Sequence, residues 1–422
     1  MIPRYSDKLL FPFWTASQQR ESPGSLRLPG PHAGYRPHLM SRLSRLNYRL
    51  LVALAILLGF GVHEVAVELR PSFLRPGLHL FAYVGNAGDG TVSVIDLIKL
   101  AAISTIPIGA RPSGIRARPA APEIWGLSSA EGYVWVLDAP SNRIVARIPV
   151  PSDPLALDFS PDGHRAYVAA AGSNTVYAID CATRQVVGRA RTGRKPWIAR
   201  VSPDGKLVLV SNHEDNTVSI FDANNLAVRG IIKVAQQPEQ ITVLPDSSKA
   251  FVTSGSTQEI SAIDLKRMQL LANLTLGGSP SATVLKPDGG ELYVISTDAH
   301  GLIVVNTQTN SVGDFVLLGN SPASAALTSD AQTLYVTDAA ADDVVPVLVQ
   351  TREVQTPTNQ WQWPRTGATP VSSVLTPGGE MLLVADSGSN DVAVIRTNIP
   401  TPVLITLIPV GTSPRDIAVK MF

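Results

Sequence analysis

The stretch SPDGHRAYVAAAGSNTVYAID at residues 160–180 decides the fold, because its pattern returns as SPDGKLVLVSNHEDNTVSIFD at residues 202–222. Each copy opens with a Pro-Asp-Gly turn, in which Pro presets φ, Asp bonds back to the backbone and Gly accepts positive φ. An apolar strand, a polar loop and a strand of alternating character follow. Alternation with a period of two residues is typical of a β-strand.

The repeat continues over most of the chain. Its apolar strand is marked by an aromatic or apolar pair that recurs at a constant interval, with a longer interval before the last copy. The pairs are Tyr83-Val84, Trp125-Gly126, Tyr167-Val168, Leu209-Val210, Phe251-Val252, Tyr293-Val294, Tyr335-Val336 and Leu383-Val384. Ahead of the turns, another strand begins at a proline in each repeat: Pro112, Pro154, Pro196, Pro238, Pro280, Pro322, Pro370 and Pro414.

Each repeat therefore predicts four short strands, without a helical period and without connections long enough for parallel pairing. One four-stranded antiparallel sheet per repeat is a propeller blade. The two strand series are out of phase: the Tyr83 strand lacks a proline-led strand before it, and the Pro414 strand lacks a partner after it. We predict an all-β fold, a β-propeller of eight blades closed by the C-terminal strand. Seven blades is the alternative, if the repeat with Trp125 or the one with Pro346 forms no blade.

The N-terminal region predicts export. Residues 50–62, LLVALAILLGFGV, are uncharged and follow Arg42, Arg45 and Arg49, which is the layout of an export signal. We expect one hydrophobic helix at residues 40–70, either a cleaved signal peptide or an anchor of residues 50–67 in the inner membrane. Positive charge before it predicts that the rest is translocated, to the periplasm or the cell surface.

The predicted domains follow from this. Residues 1–39 are rich in Pro, Ser and Arg and predict a disordered tail, and the export layout that begins at Met40 raises the hypothesis that translation starts there. Residues 71–422 form the propeller.

Composition excludes several functions. Charged residues are 16% and the net charge is +1, which argues against nucleic-acid binding, since that needs a basic face. The single cysteine, Cys181, permits no intrachain disulfide, haem attachment motif or zinc site. We expect it to be a buried spectator thiol.

Two sets of side chains are candidate ligands for a metal, and we expect no metal site from either. The first set stands at a constant distance after each Tyr-Val-type position and is interpreted as turn caps through Asx hydrogen bonds. Its members are Asp96, Asp138, Asp180, Asp222 and Asp264. The second is the histidines past the N-terminal segment, of which His213, in the polar run His213-Glu214-Asp215, is the weak metal candidate.

The proline-led strands predict the binding site. In a propeller the innermost strand of each blade lines the channel, so residues flanking the eight prolines are expected at its mouth. Charged residues flank the prolines of only some blades, and these blades are contiguous once the ring closes. The planar side chain of Trp197 suits stacking with a ligand. The predicted mouth residues are Arg111, Arg194, Lys195, Trp197, Glu239, Arg415 and Asp416. An insertion before Leu383 adds Trp361 and Trp363, either packed on a neighbouring blade or exposed as a partner surface.

The repeat resembles the YVTN family of β-propeller proteins, carried by AYVGNAGDGTVSVID at residues 82–96 and by the two stretches quoted first. The resemblance covers about residues 80 to 422 and implies the fold. It leaves function open among periplasmic ligand-binding propellers, surface adhesion modules and, more distantly, haem-binding or lactonase-like enzymes.

No nucleophile with a base, no paired carboxylates and no phosphate loop is recognisable. We therefore expect a non-enzymatic binding or scaffold propeller, with no cofactor and no catalytic residue, for a small anionic or planar ligand or a protein partner. We expect a monomer, in contact with the membrane only through the N-terminal segment. The alternatives are an enzyme or cofactor-binding propeller with its site at the channel mouth, and a cell-surface adhesion module.

Overall fold

A computed structural model describes residues 78–109, 111–151, 153–355 and 363–422. The predicted N-terminal tail, the predicted hydrophobic helix and Trp361 lie outside these residues. No helix in the described ranges is both long enough and apolar enough to cross a membrane.

Thirty-two strands of the described residues form eight four-stranded antiparallel sheets. Blade 1 contains β1 (Leu80–Asn86), β2 (Thr91–Asp96) and β3 (Ala101–Pro107), with β32 (Pro414–Met421) from the other end of the chain. Blade 2 contains β4 (Pro112–Ala117), β5 (Glu123–Ser128), β6 (Tyr133–Asp138) and β7 (Arg143–Pro149). Blade 3 contains β8 (Pro154–Phe159), β9 (Arg165–Ala170), the 3-10 turn Ala171–Ser173, β10 (Thr175–Asp180) and β11 (Gln185–Arg191). Blade 4 contains β12 (Pro196–Val201), β13 (Leu207–Asn212), β14 (Thr217–Asp222) and β15 (Val228–Lys233).

The second half of the ring repeats the order. Blade 5 contains β16 (Pro238–Val243), β17 (Lys249–Ser254), β18 (Glu259–Asp264) and β19 (Gln269–Thr275). Blade 6 contains β20 (Pro280–Leu285), β21 (Glu291–Ser296), β22 (Gly301–Asn306) and β23 (Ser311–Leu317). Blade 7 contains β24 (Pro322–Leu327), β25 (Thr333–Asp338), β26 (Asp343–Leu348) and β27 (Glu353–Val354). Blade 8 contains β28 (Pro370–Leu375), β29 (Met381–Asp386), β30 (Asp391–Arg396) and β31 (Val403–Pro409). The prediction of eight blades is confirmed, and the repeats with Trp125 and Pro346 both form one.

The C-terminal strand closes the ring, as predicted. β32 pairs antiparallel with β1 from Leu80↔Met421 to Asn86↔Pro414, and the backbone N–H of His79 donates to the carbonyl of Phe422 at 2.9 Å. This pairing joins the two ends of the propeller chain within one sheet. Among the described strands it therefore leaves no inner strand unpaired, which would be the kind of edge that invites aggregation.

The proline-led strands lie innermost and contact one another around the axis. The two middle strands of each blade are buried on both faces, because each sheet packs between its two neighbours. The outermost strands carry exposed apolar side chains, of which Leu317 is the most exposed at 68%. We call the channel end where the inner strands begin the mouth, and the end where they finish, next to the Pro-Asp-Gly turns, the base.

The tyrosine of the repeat also holds neighbouring blades together. Tyr167 Oη donates to the carbonyl of Ala223 in the next blade at 2.6 Å, and Tyr335 Oη reaches the carbonyl of Thr397 at 3.4 Å. Both acceptors lie directly after a third strand of the neighbouring blade. In these two copies the tyrosine therefore combines a core side chain with an interblade hydrogen bond.

In the longer repeat, residues 356–362 follow β27, the outer strand of blade 7, along the chain. Gln355 N donates to the carbonyl of Pro346 at 2.9 Å, and Val344 N donates to that of Pro364 at 3.1 Å, so the outer edge of β26 is paired on either side of residues 356–362. Pro346 has no N–H to donate. Because N–H and C=O of one strand residue point the same way, the missing donor faces the outer strand, on the side where the carbonyl of Pro346 accepts from Gln355.

The predicted turn caps are confirmed. Asp96 Oδ1 accepts the backbone N–H groups of Ile98 and Lys99 at 3.0 Å, and Asp180 Oδ1 accepts those of Ala182 and Thr183. The other predicted caps, Asp138, Asp222 and Asp264, accept equivalent bonds. Cys181 is buried, and burial raises the pKa of its thiol to about 12.

Candidate functional site

The mouth is built where each loop enters an inner strand. The residue before the proline adopts a left-handed conformation in six blades: Arg111, Asp153, Lys195, Gln237, Thr369 and Ser413, with φ between 50° and 59°. This conformation is uncommon for residues other than glycine. In blades 4, 5 and 1 an asparagine of the preceding blade holds it, since Asn174, Asn216 and Asn390 accept the backbone N–H of that residue at 2.8 to 2.9 Å.

Blade 4 presents an aromatic stack at the mouth. Trp197, the second residue of β12, stacks on His213 with ring centroids 5.1 Å apart and an interplanar angle of 27°. Trp197 remains 37% exposed. His213 Nδ1 is buried and has no hydrogen-bond partner among the residues that the structure describes, and burial, followed by the charge of Lys195, lowers the pKa of His213. The stack therefore offers a neutral imidazole and a partly open indole.

The charges beside the stack are unequally paired. Arg194 Nε contacts Asp215 Oδ1 at 2.5 Å, and the backbone N–H of Arg194, followed by its side chain, lowers the pKa of Asp215. Lys195 Nζ lies 3.8 Å from Glu214 Oε1, beyond hydrogen-bond length. Arg194 is thus held in a local ion pair, whereas Lys195 keeps its donors for other acceptors.

Glu239 lies on the neighbouring blade 5. Its side chain has no ion pair or hydrogen bond within the described ranges, and burial raises the pKa of its carboxyl group. Ser211 links it to the aromatic stack, since Ser211 Oγ donates to the carbonyl of Glu239 at 2.9 Å and accepts the N–H of Ile198 at 3.2 Å. The carboxyl group of Glu239 is therefore a second free polar group in this part of the ring.

The other predicted mouth residues are placed apart from the stack. Arg111 on blade 2 and Arg415 on blade 1 are exposed, and neither forms an ion pair within the described part of the chain. Asp416 lies one position further along β32 and bonds within the channel: its Oδ2 accepts the N–H of Ile115 at 2.8 Å and lies 3.6 Å from Arg116 Nη1. Burial raises the pKa of Asp416.

Sequence reasoning missed the charged residues inside the channel. Arg116, Asp158 and Arg200 occupy the fourth position after the proline in blades 2, 3 and 4. Arg116 and Arg200 line a cavity of about 620 Å³ at the base end. Aligning the inner strands would have found them, because blade 5 carries Thr242 at this position and blades 6, 7, 8 and 1 carry only Val or Ala.

No three His, Cys, Asp or Glu side chains of the described residues are grouped to hold a metal ion. The candidate His213 is near aromatic and cationic groups. The other histidines of the propeller loops lie apart from it: His164 is in an exposed turn, and His300 contacts the carbonyl of Asn320 through Nδ1 at 2.7 Å.

Comparison with known proteins identifies the class. Residues 154–358 match the family model described as YNCE-like beta-propeller. Residues 154–358 are therefore YNCE-like and of the YVTN type, within described residues that form an eight-bladed β-propeller. A search of curated proteins finds no match.

Solved structures share the fold at low sequence identity. One named dihydro-heme d1 dehydrogenase NirN in complex with DHE has a TM-score of 0.68 and 16% identity, over 83% of this chain and 77% of that one. Hydrazine synthase from Kuenenia stuttgartiensis has a TM-score of 0.55 and 19% identity, over 68% and 96% of the two chains. A functionally unknown protein from Desulfotomaculum acetoxidans DSM 771 has a TM-score of 0.54 and 15% identity, over 65% and 94%. At these identities the likeness is one of fold.

Proposed function

We propose that this protein is an exported, non-catalytic binding propeller that takes a planar ligand with an anionic group at the blade 4 part of the mouth. The observation that carries the proposal is the Trp197–His213 stack, which leaves a large aromatic ring partly exposed at a channel opening. Exposed tryptophan is costly in water and suits a stacked planar partner. Export rests on the uncharged residues 50–62 and their basic flank.

The charges around the stack support the anionic group. Lys195 is held only loosely by Glu214, so its ammonium group is available to a carboxylate or phosphate of the ligand. Glu239, with its pKa raised by burial, supplies a hydroxyl donor whenever it holds its proton. A stacking surface with one cation and one protonatable acid beside it selects for a planar acidic compound.

The test is a screen of planar aromatic acids against the full chain, read by quenching of tryptophan fluorescence and by calorimetry. We expect W197A to abolish the binding of any hit and K195Q to weaken it about tenfold, the value of one charge-assisted hydrogen bond. W363F, a change in blade 7, is the matched control and should bind as the wild type does. A hit that W197A binds with unchanged affinity would place the ligand elsewhere.

A haem-type cofactor is the second candidate, favoured by the imidazole of His213 at the mouth. It is also consistent with the fold shared with dihydro-heme d1 dehydrogenase NirN. Titration of the chain with hemin should then give a shifted Soret band that is lost in H213A and kept in H300A. An unshifted band, or an equal shift in both variants, removes this candidate.

A further inference from the structure

The base half of the channel contains a second polar site, separate from the mouth. Four consecutive blades contribute alternating charges to the channel: Asp416 from blade 1, Arg116 from blade 2, Asp158 from blade 3 and Arg200 from blade 4. Arg116 and Arg200 both reach the cavity of about 620 Å³. That volume is in the range of small-molecule pockets.

The two aspartates are occupied mainly by backbone. Asp416 Oδ2 accepts the N–H of Ile115 at 2.8 Å, and Asp158 Oδ2 accepts the N–H of Val201 at 2.9 Å. Each bond joins one blade to the inner strand of the next. The primary role of these carboxylates is therefore to satisfy inner-strand donors, which have no strand partner on the channel side.

The two arginines are left with free donors. Arg116 lies 3.6 Å from Asp416 and Arg200 lies 3.9 Å from Asp158, both beyond hydrogen-bond length. Arg116 Nη1 donates to the carbonyl of Ile115 at 2.9 Å, and Arg200 Nε donates to that of Ile241 at 3.3 Å. A guanidinium group has five N–H donors, so most of them have no acceptor among the described residues.

The opposite wall of the cavity supplies hydroxyl groups. Ser281, Thr283 and Ser372 line it, together with Gln240 and Thr242. Thr242 Oγ1 and Thr283 Oγ1 lie 3.0 Å apart. Ser281 Oγ donates to the carbonyl of Ile295 at 3.0 Å, so the neutral donors left on this wall are those of Gln240 and Ser372 and one hydroxyl of the threonine pair. A group held between this wall and the arginines would meet cations on one side and these neutral donors on the other.

We infer that the base half of the channel binds an oxyanion, a phosphate or carboxylate group, between the guanidinium groups of Arg116 and Arg200 and the hydroxyl wall of blades 5, 6 and 8. Planar guanidinium forks match the geometry of such groups. Burial lowers the pKa of Arg200, and an anion bound beside it would compensate for this. The inference is independent of the ligand proposed for the mouth.

The test uses the full chain and three probes: inorganic phosphate, sulfate and succinate, each against sodium chloride of equal ionic strength. We expect a saturable rise in melting temperature and a calorimetric isotherm for at least one probe, with phosphate and succinate distinguishing an inorganic from an organic ligand. R116Q and R200Q should each weaken binding at least tenfold. R229Q, which removes an exposed arginine on the outer strand of blade 4, should leave it unchanged.

Two further variants keep the result interpretable. R200K retains the charge but not the fork and should bind more weakly than the wild type, which covers the case in which R200Q fails to fold. W197A, at the mouth, should bind the oxyanion normally, so that failure of the mouth proposal is distinguishable from failure of this one. No probe effect beyond chloride in the wild type, or wild-type affinity in both R116Q and R200Q, would overturn the inference and leave the arginines as interblade contacts only.

Discussion

Asp386 and Asp391 make the stability of blade 8 depend on pH. They stand directly opposite each other on β29 and β30. Asp386 is fully buried, and its Oδ2 accepts the N–H of Gly367 at 2.9 Å. Within the described part of the chain, Oδ1 of each aspartate has no hydrogen-bond partner. Blade 4 carries Asn212 and Thr217 at these positions, where the amide donates to the hydroxyl at 3.0 Å. Two facing carboxylates have no N–H or O–H group to donate to each other unless one of them keeps its proton.

Burial, with Asp391 acting in the same direction, raises the pKa of Asp386 to about 8. The folded chain therefore keeps a proton that the unfolded chain releases at about pH 4. The stability associated with this proton is fully present below about pH 4 and is lost as pH rises to about 8. At about 1.4 kcal/mol for each pKa unit, the change from 3.8 to about 8 sets an upper limit of about 6 kcal/mol. Relaxation with water entry reduces the expected loss to about 2–4 kcal/mol.

The perturbation is D386N. The asparagine oxygen can still accept from Gly367, and its NH2 group can donate to Asp391, which reproduces the pairing of blade 4. We expect D386N to be more stable than the wild type by about 2–4 kcal/mol at pH 9 and to show little difference at pH 4. Urea unfolding followed by tryptophan fluorescence at pH 4, 6, 7.5 and 9 measures this.

D298N is the control for D386N. Asp298 is exposed in the corresponding loop of blade 6, and hydrogen bonding to Ser296, against a smaller effect of burial, lowers its pKa to about 2. The contribution of the Asp298 carboxylate to stability is present above about pH 4 and is lost only in acid. D298N should therefore leave the dependence of the unfolding free energy on pH unchanged between pH 6 and 9. Wild-type stability that falls no faster than that of D386N between pH 6 and 9 would refute the reasoning.

Three further predictions follow from packing. Y167F should lower the free energy of unfolding by about 1 kcal/mol, since the hydroxyl hydrogen bond of 2.6 Å is lost. Y335F removes a longer hydrogen bond of 3.4 Å and should lower the free energy of unfolding by less. Equal losses in denaturant melts would contradict this. G126A should destabilise the protein by about 2–3 kcal/mol, because a Cβ at this position would overlap the buried indole of Trp135. G277A, with no described atom within 4 Å of the added Cβ but a φ of 79°, should lose stability through backbone strain alone. A lower melting temperature for G277A than for G126A would argue against the overlap. Cys181 should react with a thiol reagent at pH 8 only after unfolding, given its burial and its pKa of about 12; labelling of the folded protein within minutes would contradict this.

The sequence predicted the architecture because the information is local and repeated. The constant interval between repeats, the proline before each inner strand and the unmatched strands at both ends predicted eight blades and their closure. The caps at Asp96 and Asp180 were predictable for the same reason, since an Asx bond joins a side chain to backbone groups close by along the chain.

The charges at the mouth were less predictable. The sequence placed Arg194 and Asp416 among residues available to a ligand, but Arg194 is paired with Asp215 and Asp416 bonds to the backbone of Ile115 inside the channel. The stack of Trp197 on His213 was not predicted either. Each of these contacts depends on which rotamer a side chain adopts beside a neighbouring loop or strand, which a repeat pattern does not specify.

The sequence by itself thus determined the repeat, the number of blades, the order of strands and the turns, because each depends on hydrogen bonds within one repeat. Only the tertiary structure decided that Arg116 and Arg200, which belong to different repeats, share one cavity. The physical reason is that strand register is set by local pairing, whereas the meeting of side chains across the channel requires the closed ring.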